Sequence, residues 1–169
     1  CKDLGPAVYV ANHQTNWDIV VLTGAVQPGV VAVGKKSLVW LPLFGILFYL
    51  SGNILIDRSN RSRAIDTIRQ VVDKIRSRQI SIWMFPEGTR SRGRGLLPFK
   101  TGAFHTAMQA GVPIVPVVAT SYAKQIDLNR WDNGGVLSEM WPPIGPSRWE
   151  REQVRGCADH VRELMKAKL

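Results

Sequence analysis

Short runs of aliphatic and β-branched residues at 7–11, 30–33, 54–56, 80–85 and 114–118 are separated by stretches with helical rather than alternating periodicity. Apolar runs of this length, without polar alternation, suit strands covered on both faces, and their interleaving with helices points to an α/β sheet. A helix is predicted where Ala64, Ile65, Ile68, Val71, Val72 and Ile75 recur at helical spacing, with Asp66, Arg69, Asp73, Lys74 and Arg76 on the other side. A second is predicted over 101–110, closed by Gly111 and Pro113. A third covers 150–166, with Val154, Cys157, Val161 and Leu164 facing inward. With 169 residues, 45% of them hydrophobic, the chain can bury a proper core. The expected architecture is one α/β domain over 1–169, with a mostly parallel or mixed central sheet flanked by helices. No repeat, low-complexity tract or dividing linker is present.

Charge narrows the partners. Lysine and arginine number 22 against 13 acidic residues, a net charge of +9, which favours phosphate, a lipid headgroup or nucleic acid without choosing among them. Cys1 and Cys157 are the only cysteines, so a disulfide framework and a multi-cysteine zinc site are both excluded, and a reducing setting is the default. The chain begins at Cys1 without a basic, apolar leader, and is expected to be a piece of a longer or processed protein.

Residues 37–56 carry no charge, but Pro42, Gly45, Gly52 and Asn53 interrupt them. The most apolar part, residues 38–50, is about 13 residues, which is short for a bilayer span. An interfacial or acyl-contacting element and a plain buried helix with strand both remain open. Lys35 and Lys36 before it, and Trp40 and Tyr49 within it, favour a membrane surface. The candidate contacts are Leu38, Trp40, Leu41, Phe44, Leu47 and Phe48.

Four motifs carry chemistry. His13 and Asp18 follow the first strand. Imidazole accepts a proton near neutral pH, and a carboxylate on its other nitrogen fixes the tautomer. On one continuous helix the two would stand about 140° out of phase, so His13 is expected in the turn before the helix and Asp18 in its first turn. Thr15 to Asp18 also reads as a capping box, which would make Asp18 a helix cap only. Phe85-Pro-Glu-Gly-Thr-Arg-Ser91 follows a strand with exposed backbone donors and an arginine fork. Either an anion cradle or a tight turn with a solvated Arg90 fits it. Arg58, at the end of Gly52-Asn-Ile-Leu-Ile-Asp-Arg58, either pairs with Asp57 or faces the same pocket. Lys100 opens the 101–110 helix, as a solvated side chain or a phosphate contact.

Other readings fail. Gly29 to Lys36 resembles a P-loop, but Lys36 stands where Ser or Thr should hold magnesium. The Arg-Gly stretch 90–95 is a single short copy, read as a basic loop rather than an RNA-binding tract. No Gly-x-Ser-x-Gly elbow and no second histidine at metal-ligand spacing to His13 occur.

In order, Asn-His-x4-Asp, Gly-x-x-x-Ile-Asp-Arg, Phe-Pro-Glu-Gly-Thr-Arg-Ser and Val-Pro-Ile-Val-Pro (112–116) resemble the glycerolipid acyltransferase family, in particular its bacterial 1-acylglycerol-3-phosphate acyltransferases. Lys35-Lys-Ser-Leu38 and Lys100-Thr-Gly-Ala103 are similar to that subgroup too, so the likeness runs over about 7–143. It implies a glycerol-3-phosphate acyltransferase-like fold. It also implies transfer of a fatty acyl group from coenzyme A or acyl-carrier protein to the 2-hydroxyl of lysophosphatidic acid, giving phosphatidic acid. His13 would be the general base and Asp18 its orienting partner. Arg58, Glu87, Gly88, Thr89, Arg90 and Lys100 would hold the acceptor phosphate. No metal or other cofactor is expected, and no nucleic-acid partner. Members commonly carry an N-terminal membrane anchor, which is expected to precede this chain, with the domain at the cytoplasmic face of the inner membrane. The rivals are a related acyltransferase with another glycerolipid acceptor, a non-catalytic basic membrane or nucleic-acid binding module, and a thioesterase.

Overall fold

The computed structural model describes residues 4–56, 61–122, 127, 129–145 and 153–169. Strands β1 (Val8–Ala11), β2 (Val30–Lys35), β3 (Ile54–Ile56), β4 (Ser81–Met84), β5 (Ile114–Ala119) and β6 (Ser138–Met140) form one sheet in the order β3-β2-β4-β1-β5-β6. β1 lies between β4 and β5 and runs parallel to both; β2 is parallel to β3 and β4. Only β6 is antiparallel, pairing Val117 with Met140 on β5. The sheet is therefore mixed, with five parallel strands and an antiparallel edge.

Alternation along β1 divides the core. Val8 and Val10 face the layer built by α3 (Arg61–Arg78), α4 (Gly102–Ala110) and α5 (Val154–Lys166). Ala7, Tyr9 and Ala11 face the other side with Trp83, Val115, Val117, Leu22 and Tyr122. Tyr9 and Trp83 stack there at 6.0 Å. Both faces are covered, which is why β1, β4 and β5 read as unbroken apolar runs.

The helices follow their predicted faces with local corrections. On α3, Val71, Val72 and Ile75 are buried, whereas Ile65 lies outside the packed stripe at 48% exposure. On α5 the inward stripe is Val154, Cys157, Ala158, Val161 and Met165; Met165 takes the place expected of Leu164. The 150–152 end of that predicted helix lies outside the described residues. α4 stops at Gly111, whose φ of 74° supplies the left-handed cap.

Residues 38–50 depart most from a core element. A 3-10 turn over Lys36–Trp40 leads into α2 (Phe44–Leu50), whose buried residues are Gly45 and Phe48. Trp40, Leu43, Leu47 and Leu50 are 84, 78, 64 and 73% exposed. Among the described residues no helix is long and apolar enough to cross a membrane. The plain buried reading thus gives way to an apolar surface.

Phe104 of α4 is fully buried in the helix-side core. Phe104→Ala should lower the unfolding free energy by about 3–5 kcal/mol, read as a reduced urea midpoint at unchanged slope.

Candidate active site

The C-terminal ends of β1 and β4 open onto a cavity of about 750 Å³, where ligands of open α/β sheets usually bind. β1 ends in the polar segment 12–17, and its side chains tie it to the loop after β5. Asn12 pairs its amide with the backbone of Ala119, donating to the carbonyl at 3.0 Å and accepting the N–H at 2.9 Å. Gln14 donates to the Thr120 carbonyl at 2.8 Å and accepts the Tyr122 N–H at 3.1 Å. These amides are buried and satisfied, so the segment is held as rigidly as a strand.

His13 sits in this segment, before α1 (Asp18–Val21). Its Nδ1 is hydrogen-bonded to Asp18 Oδ2, and its ring stacks on Phe85 at 4.2 Å and 16°. Asp18 is 1% exposed. Oδ2 also accepts the N–H groups of Gln14 at 2.7 Å and Thr15 at 3.2 Å, while Oδ1 accepts the Tyr122 hydroxyl. Thr15 Oγ1 in turn accepts the Trp17 N–H at 3.0 Å. The two readings of Asp18 meet in one arrangement, because a single carboxylate ties down the turn before the short helix, through the Gln14 and Thr15 N–H groups, and holds the imidazole. Nε2 of His13 is left for the cavity.

Glu87 occupies a different place from the one expected of a phosphate-binding residue. It is 3% exposed, Oε1 accepts the His13 N–H at 2.6 Å, and Oε2 accepts the Leu97 N–H at 2.9 Å. Both oxygens therefore serve backbone amides, and a carboxylate beside a phosphate would repel it. Burial pushes this carboxyl above the usual range, against the pull of the two amide bonds and of His13. Glu87 is a clip joining the histidine segment to the 88–98 loop. Two further bonds reinforce it: Ser91 N–H to the His13 carbonyl at 2.7 Å and Arg92 N–H to the Gln14 carbonyl at 3.0 Å.

Gly88, Thr89, Arg90 and Lys100 line the cavity with His13. Arg90 is steadied by Asn16, whose Oδ1 accepts from Nη1. Gly88 has a φ of 71°, and a Cβ there would meet Lys100 Cδ and Cε at 3.0 Å and Nζ at 3.1 Å. Glycine lets the ammonium group lie against the turn. Lys35 and Lys36 reach the same cavity from the end of β2, and no carboxylate lines it among the described residues. The apolar part of the lining includes Val33, Leu38, Trp40, Phe48 and Ile56. Phe48 lies over Gly34, where a Cβ would come within 2.8 Å of its Cζ.

Of the six apolar candidates, Leu38, Trp40 and Phe48 line the cavity. Phe44 is half-buried and packs against Phe48 at 5.7 Å, while Leu41 and Leu47 lie exposed on the adjoining surface. Arg58 and Asp57 fall outside the described residues. Sequence reasoning missed Phe85 as the platform for the histidine ring, Asn16 as the partner of Arg90, and Tyr122. The first two lie inside motifs already singled out; Tyr122 carries no local signal, since its partner stands 104 positions away.

The acyltransferase family model matches residues 2–120. The chain is 58% identical over 168 residues to the 1-acyl-sn-glycerol-3-phosphate acyltransferase of Escherichia coli (strain K12), covering 99% of this chain and 69% of that one. It is 52% identical to that of Haemophilus influenzae, over 99% of this chain and 70% of the relative. The crystal structure of the 1-acyl-sn-glycerophosphate acyltransferase from Thermotoga maritima superimposes with a TM-score of 0.77 at 27% identity, over 99% of this chain and 66% of that chain. Just under two thirds of that solved chain's length is thus spanned. The resemblance drawn from the four sequence blocks is confirmed at the level of the family, and the chain belongs to the acyltransferase family, among its 1-acyl-sn-glycerol-3-phosphate acyltransferases.

Proposed function

We propose that this chain transfers a fatty acyl group from an acyl thioester, on coenzyme A or acyl-carrier protein, to the 2-hydroxyl of lysophosphatidic acid, giving phosphatidic acid for phospholipid biosynthesis. One observation carries the reading: an imidazole whose Nδ1 is held by a buried carboxylate shares a cavity with Arg90 and Lys100. His13 Nε2 takes the hydroxyl proton as the oxygen attacks the thioester carbon. The tetrahedral intermediate collapses, the carbon–sulfur bond breaks, and the proton passes from Nε2 to the departing sulfur. Arg90 and Lys100, with the backbone at Gly88 and Thr89, hold the acceptor phosphate by charge-assisted hydrogen bonds. Passing an acyl group from thioester to oxygen ester is downhill, so no metal or other cofactor is invoked.

The exposed apolar surface of 39–50 adjoins this cavity through Trp40, and Lys35 and Lys36 flank it. Apolar side chains beside cations, in a chain of net charge +9, complement an anionic phospholipid surface. The proposed setting is the cytoplasmic face of the inner membrane, where a lipid acceptor and a soluble donor meet.

Thiol release from an acyl thioester should depend on added lysophosphatidic acid, and His13→Ala should lower it by about 10²- to 10⁴-fold. Full turnover in that variant, or equal release without acceptor and with free fatty acid formed, would overturn the transferase reading. Arg90→Ala should raise KM for lysophosphatidic acid by about 10- to 100-fold with little change in kcat. In flotation with phosphatidylglycerol vesicles, the wild type should rise with the lipid and a Trp40→Ala/Leu47→Asp variant should not. Equal flotation of both, or concentration-dependent self-association that buries the patch, would count against docking.

A further inference from the structure

Tyr122 takes no part in the chemistry above, yet its hydroxyl donates to Asp18 Oδ1 from the far side of the dyad. Its ring is 1% exposed and packs in the core cluster with Tyr9, Trp83 and Leu22. Its backbone N–H is held by Gln14 at 3.1 Å. The phenol is thus fixed by the sheet's own packing and cannot follow Asp18 if the carboxylate rotates.

Among the described residues the other donors to Asp18 converge on Oδ2: His13 Nδ1 and the N–H groups of Gln14 and Thr15. Three bonds to one oxygen leave rotation of the carboxylate plane weakly opposed, and would leave Oδ1 a buried acceptor without a donor. The Tyr122 hydroxyl removes both defects. It also draws charge away from the carboxylate, because a hydrogen bond to the charged form disperses and stabilises that charge.

We propose that Tyr122 is a positioning residue: acting through Asp18, it fixes the plane of the carboxylate and moderates how strongly that carboxylate holds the imidazolium of His13. The proposal rests on reading His13 as the general base. Without the hydroxyl, the carboxylate would concentrate its charge on the His13 side and hold the protonated ring more tightly. The other charged groups around the ring are Glu87 behind its backbone amide, Arg90 and Lys100 on the cavity wall, and Lys35 and Lys36 at the end of β2. Tyr122→Phe alters none of these, so a change in the acid limb reports the route through Asp18.

In Tyr122→Phe, kcat should fall about tenfold with KM for lysophosphatidic acid within about twofold, and the acid limb of kcat/KM should move to higher pH. In an Asp18→Asn background, followed as single-turnover thiol release, the same change should cost less than about twofold, since coupled residues are non-additive. Replacing Tyr122 with 3-fluorotyrosine keeps the shape and makes the phenol a stronger donor, so the limb should move to lower pH; this variant decides the matter if Tyr122→Phe does not fold. An unmoved limb in a folded variant, or an undiminished loss in the Asp18→Asn background, would overturn the role of Tyr122 while leaving the base reading intact. Retained turnover in His13→Ala would remove that base reading instead.

Discussion

A carboxylate taken almost wholly out of water must find donors for its oxygens, and at Asp18 that requirement organises everything around it. An isolated buried charge costs far more than a domain's net stability allows, so the surrounding chain has to deliver hydrogen bonds. Delivery comes from three places: the imidazole of His13, the backbone of Gln14 and Thr15, and the phenol of Tyr122. The first two are local, because Asp18 begins a four-residue helix whose preceding turn naturally aims amides at it. The third needs β5 beside β1. The parallel pairing of these strands brings residue 122 to residue 18, and the amides of Asn12 and Gln14 lock the two loops together.

The second buried carboxylate obeys the same rule with another outcome. Glu87 finds two backbone amides, one from His13 and one from Leu97, and so fastens the turn after β4 to the turn after β1. That leaves the outward groups of the same loop, Gly88, Thr89 and Arg90, facing the cavity beside the imidazole. An acidic residue within a cation-rich motif is unfavourable in front of a phosphate but useful behind the loop, where its charge is spent on N–H groups. Glu87 thus shapes the anion-facing surface without being part of it.

Much of the fold was legible because strands covered on both faces leave an unmistakable apolar trace. All five parallel strands were found within a residue or two, as were α4 and its glycine stop. β6 was not: Ser138-Glu-Met140 is a polar, mostly exposed edge whose only qualification as a strand is the neighbouring backbone of β5. At the site, His13 with Asp18, and Gly88 to Arg90 with Lys100, could be named from local order and resemblance. The position of Glu87 could not, since whether a carboxylate faces solvent or backbone depends on a residue ten positions ahead. Tyr122 lay beyond reach for the same reason on a longer scale. Residues 38–50 showed their apolar character at once, but periodicity does not say whether such a segment is covered, and here only Gly45 and Phe48 of α2 are.

The cavity is lined by both cationic and apolar side chains, which bears on what could lie in it. A molecule with a phosphate at one end and a hydrocarbon chain at the other finds partners for both in this one cavity. On the proposed reading Arg90 and Lys100 would hold the headgroup by charge-assisted bonds, while Leu38, Trp40 and Phe48 would take apolar surface from water. The imidazole lines the same cavity, so on that reading a hydroxyl of such a molecule would share that space with it. Trp40 belongs both to the cavity lining and to the exposed apolar surface, so in the proposed membrane setting that side chain would join the two for an entering lipid. That continuity lowers the cost of drawing a hydrocarbon chain out of a membrane, a cost of about 0.8 kcal/mol for every methylene exposed to water on the way.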